Sequence, residues 1–295
     1  MQSKIILAAI LLTIQTNVAT AQNTPIVPND PRQLNFALFE AAKKGRTDHV
    51  VLFLERGASI KARDRFGNTA LLLAAFSGRT KTVRILIEAG SSINHQNLGG
   101  STALFRAAKA GKRKSVKLLL KASAKINLAN KQLLTPLTAA AFNGEVETVR
   151  FLLENGADPV VVDNSGKSAI LYAAGKGFSE IVEALLEKGI DVNQTYGNSL
   201  TALMWAAGYS NDTPAGEALN TIDLLLDRDA NFDMKDNRGQ TALMTAAQMN
   251  HSEVVKTLLN AGARADLRNK EGRTAADLAR TAGSPAALRV LGEAK

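Results

Sequence analysis

The groups that do covalent or metal chemistry are sparse in this chain. Its 295 residues include three histidines and no cysteine. His49, His95 and His251 lie far apart, with no triad or ligand spacing between them. The lack of cysteine removes a thiolate nucleophile, a zinc–thiolate site and a disulfide framework. No G-x-x-x-x-G-K-[ST], G-x-S-x-G or H-E-x-x-H motif occurs. The fragments Asp163-Asn164 and Asp236-Asn237 could suggest calcium, but they lack the acidic cluster and closing glutamate of a calcium loop, and turns account for them. No catalysis, cofactor or small-molecule substrate is expected. What remains is recognition chemistry. One Trp, three Tyr and ten Phe supply anchors. Between Gly100 and Gln132 stand nine basic residues and no acidic one: Arg106, Lys109, Lys112, Arg113, Lys114, Lys117, Lys121, Lys125 and Lys131. The next segment, 133–165, has one basic and five acidic residues, and 199–238 has three and seven. Such polarity steers oppositely charged partners, or it is a solvated face that aids solubility.

The elements that position these groups follow from a repeat. Positions Leu34, Gly67, Gly100, Leu133, Gly166, Ser199, Gly239 and Gly272 step by 33 residues, except for one step of 40 after Ser199. Thr69, Thr102, Thr135, Ser168, Thr201, Thr241 and Thr274 share a column, where a hydroxyl caps a helix start. Leu38, Leu71, Leu104, Leu137, Ile170, Leu203 and Leu243 share the buried column two places on. Paired alanines follow, from Ala41-Ala42 to Ala246-Ala247, and keep the helix thin enough for a neighbour to stack close. Gly45, Gly78, Gly111, Gly144 and Gly177 end this helix where a left-handed residue is wanted. A second helix has apolar residues at i, i+3 and i+4, as in Val149, Leu152 and Leu153. It ends at Gly57, Gly90, Gly156, Gly189 and Gly262, with Ser123 and Asp229 substituting. A hairpin leads to the next threonine. The extra residues of the sixth repeat, Tyr209 to Asn220, read as a longer loop between helices. That loop is a neutral length variant or a local contact element.

Thr-Pro-Leu-Thr-Ala-Ala-Ala at 135–141 and Glu-Asn-Gly-Ala-Asp at 154–158 resemble the ankyrin repeat. The resemblance covers Leu34 to about Leu291. It implies an all-α solenoid of about eight repeats including caps, each a helix-turn-helix with a β-hairpin loop. The family histidine after the buried leucine is absent. Phe39, Leu72, Phe105, Thr138, Leu171, Met204 and Met244 stand there, which implies less rigid hairpins. The end repeats read as caps, the last with a shortened second helix at Ala286 to Leu291. In the family, partners bind on the concave side, through the residue before each alanine pair, the two after it and the hairpin tips. Carried over, this implies Phe76, Arg106, Lys109, Phe142, Tyr172, Trp205, Tyr209 and Met249 as partner-binding residues. The alternative for Trp205 and Tyr172 is packing between repeats. The partner implied is a protein. The alternative is an acidic polymer, glycan or nucleic acid, on the basic third repeat, though export and the lack of interleaved aromatics weigh against nucleic acid. A monomer is expected.

Met1 to Lys4 carry one positive charge, Ile5 to Leu12 are apolar, and Ala19-Thr20-Ala21 is a small-x-small site. This order is that of a secretory signal peptide cut after Ala21, which implies a periplasmic or secreted protein. Gln22 rather than cysteine follows the cut, against a lipoprotein. The layout is similar to bacterial ankyrin proteins of a Gram-negative periplasm. No later segment is long and apolar enough to span a membrane. Residues 22–33, with Pro25, Pro28 and Pro31, read as an extended linker.

Overall fold

In the computed structural model the described residues are 30–209 and 213–293. They form eight helix pairs. The first helices are α1 (Pro31–Lys44), α3 (Ala70–Phe76), α5 (Ala103–Lys109), α7 (Pro136–Phe142), α9 (Ala169–Gly175), α11 (Ala202–Ala207), α13 (Ala242–Gln248) and α15 (Ala275–Ala282). The second helices are α2 (Thr47–Glu55), α4 (Thr80–Glu88), α6 (Arg113–Lys121), α8 (Val146–Glu154), α10 (Ser179–Glu187), α12 (Ala215–Asp227), α14 (Ser252–Asn260) and α16 (Pro285–Glu293). The chain divides into two compact units, Met1–Pro136 and Leu137–Lys295. Among the described residues no helix is long and apolar enough to cross a membrane. The proposed cleavage site lies outside the described residues.

Within each unit the repeat columns become a core. The leucine column and both alanine columns are sealed, from Leu71, Ala74 and Ala75 to Leu243, Ala246 and Ala247. Methyl side chains let α3 pack on α5, and α11 on α13, with little between the backbones. Second helices contribute Val83 and Leu86, or Val182 and Leu185, to the same core. The threonine column caps as expected at four places: the hydroxyls of Thr102, Thr201, Thr241 and Thr274 accept the N–H three residues on. Thr69 and Ser168 adopt the same extended backbone without a cap bond. Gly45, Gly78, Gly111, Gly144 and Gly177 all have positive φ, as expected.

The loops between repeats are hairpin-shaped turns rather than strands, and one isolated bridge joins Tyr196 and Leu200. A column of Asp and Asn holds them. The Oδ1 atoms of Asp64, Asn97, Asn130, Asp163, Asp236 and Asn269 each accept the N–H groups two and four residues on. This side-chain brace holds the turns where the family histidine is missing. The old histidine column is instead core: Leu72 and Leu171 are fully buried, and Phe105, Met204 and Met244 nearly so. Neighbouring turns are joined by backbone bonds, Leu98 N–H to Phe66 O at 3.0 Å, Lys131 to Gly99 at 3.1 Å and Lys270 to Arg238 at 3.0 Å. A Cβ on Gly100 would stand 2.6 Å from Lys131 N, which is why that turn position is bare.

Three expectations need correction. The linker does not run to residue 33. Asp30 accepts from Arg32 N at 3.0 Å, Pro31 opens α1, and α1 is 14 residues long. Proline suits this place because its missing N–H has no partner at a helix start. The last helix is not shortened, since α16 has nine residues like most other second helices. The expected loop in the sixth repeat, part of which (210–212) lies outside the described residues, gives way to helix at Ala215. Ala215 to Asn220 open α12, which has 13 residues.

Leu133 has φ +61° where most other turns place glycine. A left-handed residue with a Cβ is strained. Leu133→Gly is expected to raise unfolding free energy by about 0.5–1 kcal/mol, the strain relieved less the entropy glycine adds to the unfolded chain. Urea denaturation of the two proteins side by side measures it.

Candidate partner-binding surfaces

In the unit Leu137–Lys295, Phe142, Tyr172, Trp205 and Met249, from four successive repeats, come together on one groove. Phe142 follows an alanine pair, Tyr172 and Trp205 precede theirs, and Met249 lies just past α13. Together they line a groove of about 490 Å³. Phe142 meets Tyr172 edge-on, with centroids 5.2 Å apart. Phe142 and Met249 are exposed, while Tyr172 and Trp205 are half-buried. Trp205 lies against Gly175, where any Cβ would come within 2.6 Å of its Cδ1. Its other side also borders a hollow of about 540 Å³ shared with Ser165, Asn198 and Asn237. The indole therefore both packs on the preceding repeat and lines open space. Lys167 Nζ sits 5.1 Å from the Trp205 ring and 5.7 Å from that of Tyr172, and Lys176 Nζ 5.5 Å from Phe142. These cations lie over the ring faces, where the quadrupole is attractive.

Asp163 fixes the aromatic wall. Its side chain is buried and accepts from the Tyr172 hydroxyl, the Ser165 hydroxyl and the N–H groups of Ser165 and Lys167. Burial alone would raise the Asp163 pKa, but the bonds from Tyr172 and Ser165 outweigh it and hold the carboxyl below its usual range. Burial, then the bond to Asp163, push the Tyr172 phenol up to about 12. Tyr172 is thus a neutral donor locked to the turn that leads into its repeat.

The unit Met1–Pro136 has a groove of its own, of about 940 Å³. Arg106 of α5 lies over the ring of Phe76, 4.3 Å from its centroid. Phe36 of α1 and Phe66 at a turn tip are exposed in this groove. The basic residues of the third repeat are spread over its two helices and the turns beside them. Arg106 and Lys109 lie on the first helix, and Arg113, Lys114, Lys117 and Lys121 on the second. Lys114, Lys117 and Lys121, with Arg84 of α4, surround a separate shallow hollow of about 270 Å³.

The family described as ankyrin repeats (3 copies) matches residues 14–97, 38–130, 104–196, 137–215 and 203–295. The chain belongs to the ankyrin-repeat family. Its fold is the all-α ankyrin solenoid. Ankyrin repeats are protein–protein interaction modules and typically non-catalytic. No curated protein matches the chain. Of the eight residues expected on the ankyrin binding side, Phe142, Tyr172, Trp205 and Met249 share one groove, and Phe76 and Arg106 share another. Lys109 is exposed beside the second group without lining its groove. Tyr209 departs from the expectation. It stacks on His251, centroids 3.8 Å apart, and does not line the groove. The reason is local: His251 Nδ1 is 3.0 Å from Ala207 O, which holds the imidazole beneath the tyrosine. Phe36 and Phe66 were missed. An exposed phenylalanine in a turn between Arg65 and Gly67 was the available signal for Phe66.

Proposed function

We propose that this ankyrin protein is an exported, non-catalytic adaptor that holds a partner protein in the groove of Phe142, Tyr172, Trp205 and Met249. The observation that carries the reading is the aromatic wall itself. Four large side chains, contributed by four successive repeats, line open space although the core beneath is already sealed. Aromatic residues in half-desolvated hollows dominate binding energy at interfaces. Asp163 and Gly175 hold two of the four in place, which lowers the ordering entropy that binding must overcome. Export rests on the charged, apolar and small-residue sequence of Met1 to Ala21.

The test is capture from a native envelope extract on immobilised residues 22–295, at low and high salt, with mass spectrometry. A single protein retained at both salts, with affinity lowered by about 2 kcal/mol or more in Trp205→Ala, is the expected result. An affinity unchanged in the folded variant removes the groove from the function. Retention only of anionic material that salt releases moves the function to the cations around Lys117, because phosphate-type contacts weaken steeply with salt.

A further inference from the structure

Arg106 carries a charge with little provision around it. It is half-buried, its Nε is shut off from solvent, and that atom has no hydrogen-bond partner. Among the described residues its guanidinium makes no ion pair. Asp64, the acid whose charge acts on it, is already used: Oδ1 accepts from Phe66 N and Asn68 N, and Oδ2 from Asn68 Nδ2, at 2.8–2.9 Å. Glu40, in the same groove, pairs with Lys44 at 3.4 Å. Burial lowers the Arg106 pKa and Asp64 only partly offsets it, as expected for a charge short of partners. Its guanidinium carbon lies over the Phe76 ring, 4.3 Å from the centroid, which holds the group in place. A planar, oriented guanidinium with free donors fits a two-oxygen acceptor.

The surroundings narrow the ligand. Phe36 is 65% exposed and Phe66 55% exposed, so an apolar ledge flanks the charge. Phe66 and Phe76 each carry an arginine over one face, Arg65 at 4.7 Å and Arg106 at 4.3 Å, which takes a stacking face from a nucleic-acid base. Asp64 and Glu40 in the groove oppose a continuous run of phosphates. We infer that this groove receives an acidic side chain of a partner polypeptide, its carboxylate on Arg106 and the apolar residues beside it on Phe36 and Phe66. This is a second site, in the other unit from the aromatic groove, and it stands on different residues.

The probe is a fluorescein-labelled peptide of Asp-Phe-Asp-Leu repeated three times, titrated by anisotropy against the full chain at low salt. Its Asn-for-Asp counterpart and an oligothymidylate of similar length are run beside it. The Asp peptide is expected to bind, and Arg106→Gln to weaken it about tenfold or more, the scale of a charge-assisted hydrogen bond. Arg106→Lys should fall between, since it keeps the charge and loses the fork. Trp205→Ala should leave this binding unchanged, which separates failure here from failure of the aromatic-groove reading. Equal binding of the Asn peptide, binding of the oligonucleotide alone, no binding of the Asp peptide, or an unaffected Arg106→Gln would each overturn the inference.

Discussion

Asp163→Ala should destabilise the unit Leu137–Lys295 by about 3 kcal/mol, the scale of losing a buried carboxylate that serves several donors at once. The substitution orphans the N–H groups of Ser165 and Lys167 and both hydroxyls, of Ser165 and Tyr172. Asp163→Asn separates the two jobs. Asparagine stands in the same turn column at Asn97, Asn130 and Asn269 and accepts the same pair of N–H groups there. It should keep the turn and most of the stability, yet lose the anionic acceptor that anchors Tyr172. Partner binding would then weaken more than stability does. Acid gives a third reading. The folded pKa of Asp163 is below its unfolded value, so its contribution is fully present above the unfolded pKa and is lost as pH falls through the folded one. The stability gap between wild type and Asp163→Asn should therefore close at low pH. Urea melts of the three proteins at neutral and acid pH test all of this. A neutral-pH loss under about 1 kcal/mol in Asp163→Ala would show that the turn holds without its brace.

The repeat frame was legible because each column answers to a simple need. Alanine pairs allow close helices, glycines supply positive φ, and leucines fill the space between repeats. Those needs recur every 33 residues, and the structure meets them where the sequence places them. The aromatic wall was legible because the family binding pattern takes in both sides of each alanine pair: Tyr172 and Trp205 precede theirs, while Phe142 and Met249 follow. Other features depend on partners distant in sequence and were not legible. Tyr209 has a binding-side register, but His251, in the next repeat, takes its ring. The charges of the third repeat are close in sequence, yet two lie on the first helix, four on the second and three outside both. The Asp and Asn column was visible in part, at Asp163 and Asp236, as turn formers. Its role appears only when Oδ1 is seen beneath the N–H groups it serves. Tyr196 shows the point in reverse. It occupies that column at the end of the fifth repeat, cannot brace the turn as an Asx does, and there Asn198 and Ser199 both take positive φ.

Leu171→Ala should lower the stability of the same unit by about 3–4 kcal/mol, within the range for a sealed leucine. Leu171 is wholly buried and sits where the ankyrin pattern places a polar brace. If the column still served the turn, truncation would loosen only a loop and cost about 1 kcal/mol. The structure assigns it to packing instead, so the cost is lost burial plus a cavity that thin neighbours, Ala173 and Ala174, cannot fill. Leu171→Met is the control. Met204 and Met244 already occupy this column, nearly sealed, and a volume-conserving swap should cost under about 1.5 kcal/mol. Repeat chains couple mainly through neighbouring interfaces, so the loss should be concentrated in the repeats that touch α9. Hydrogen exchange would then report faster opening of α9 and α11, with the protection of α3 and α4 unchanged. A cost for Leu171→Ala no larger than that for Leu171→Met would mean that the turn, and not the core, decides what this column requires.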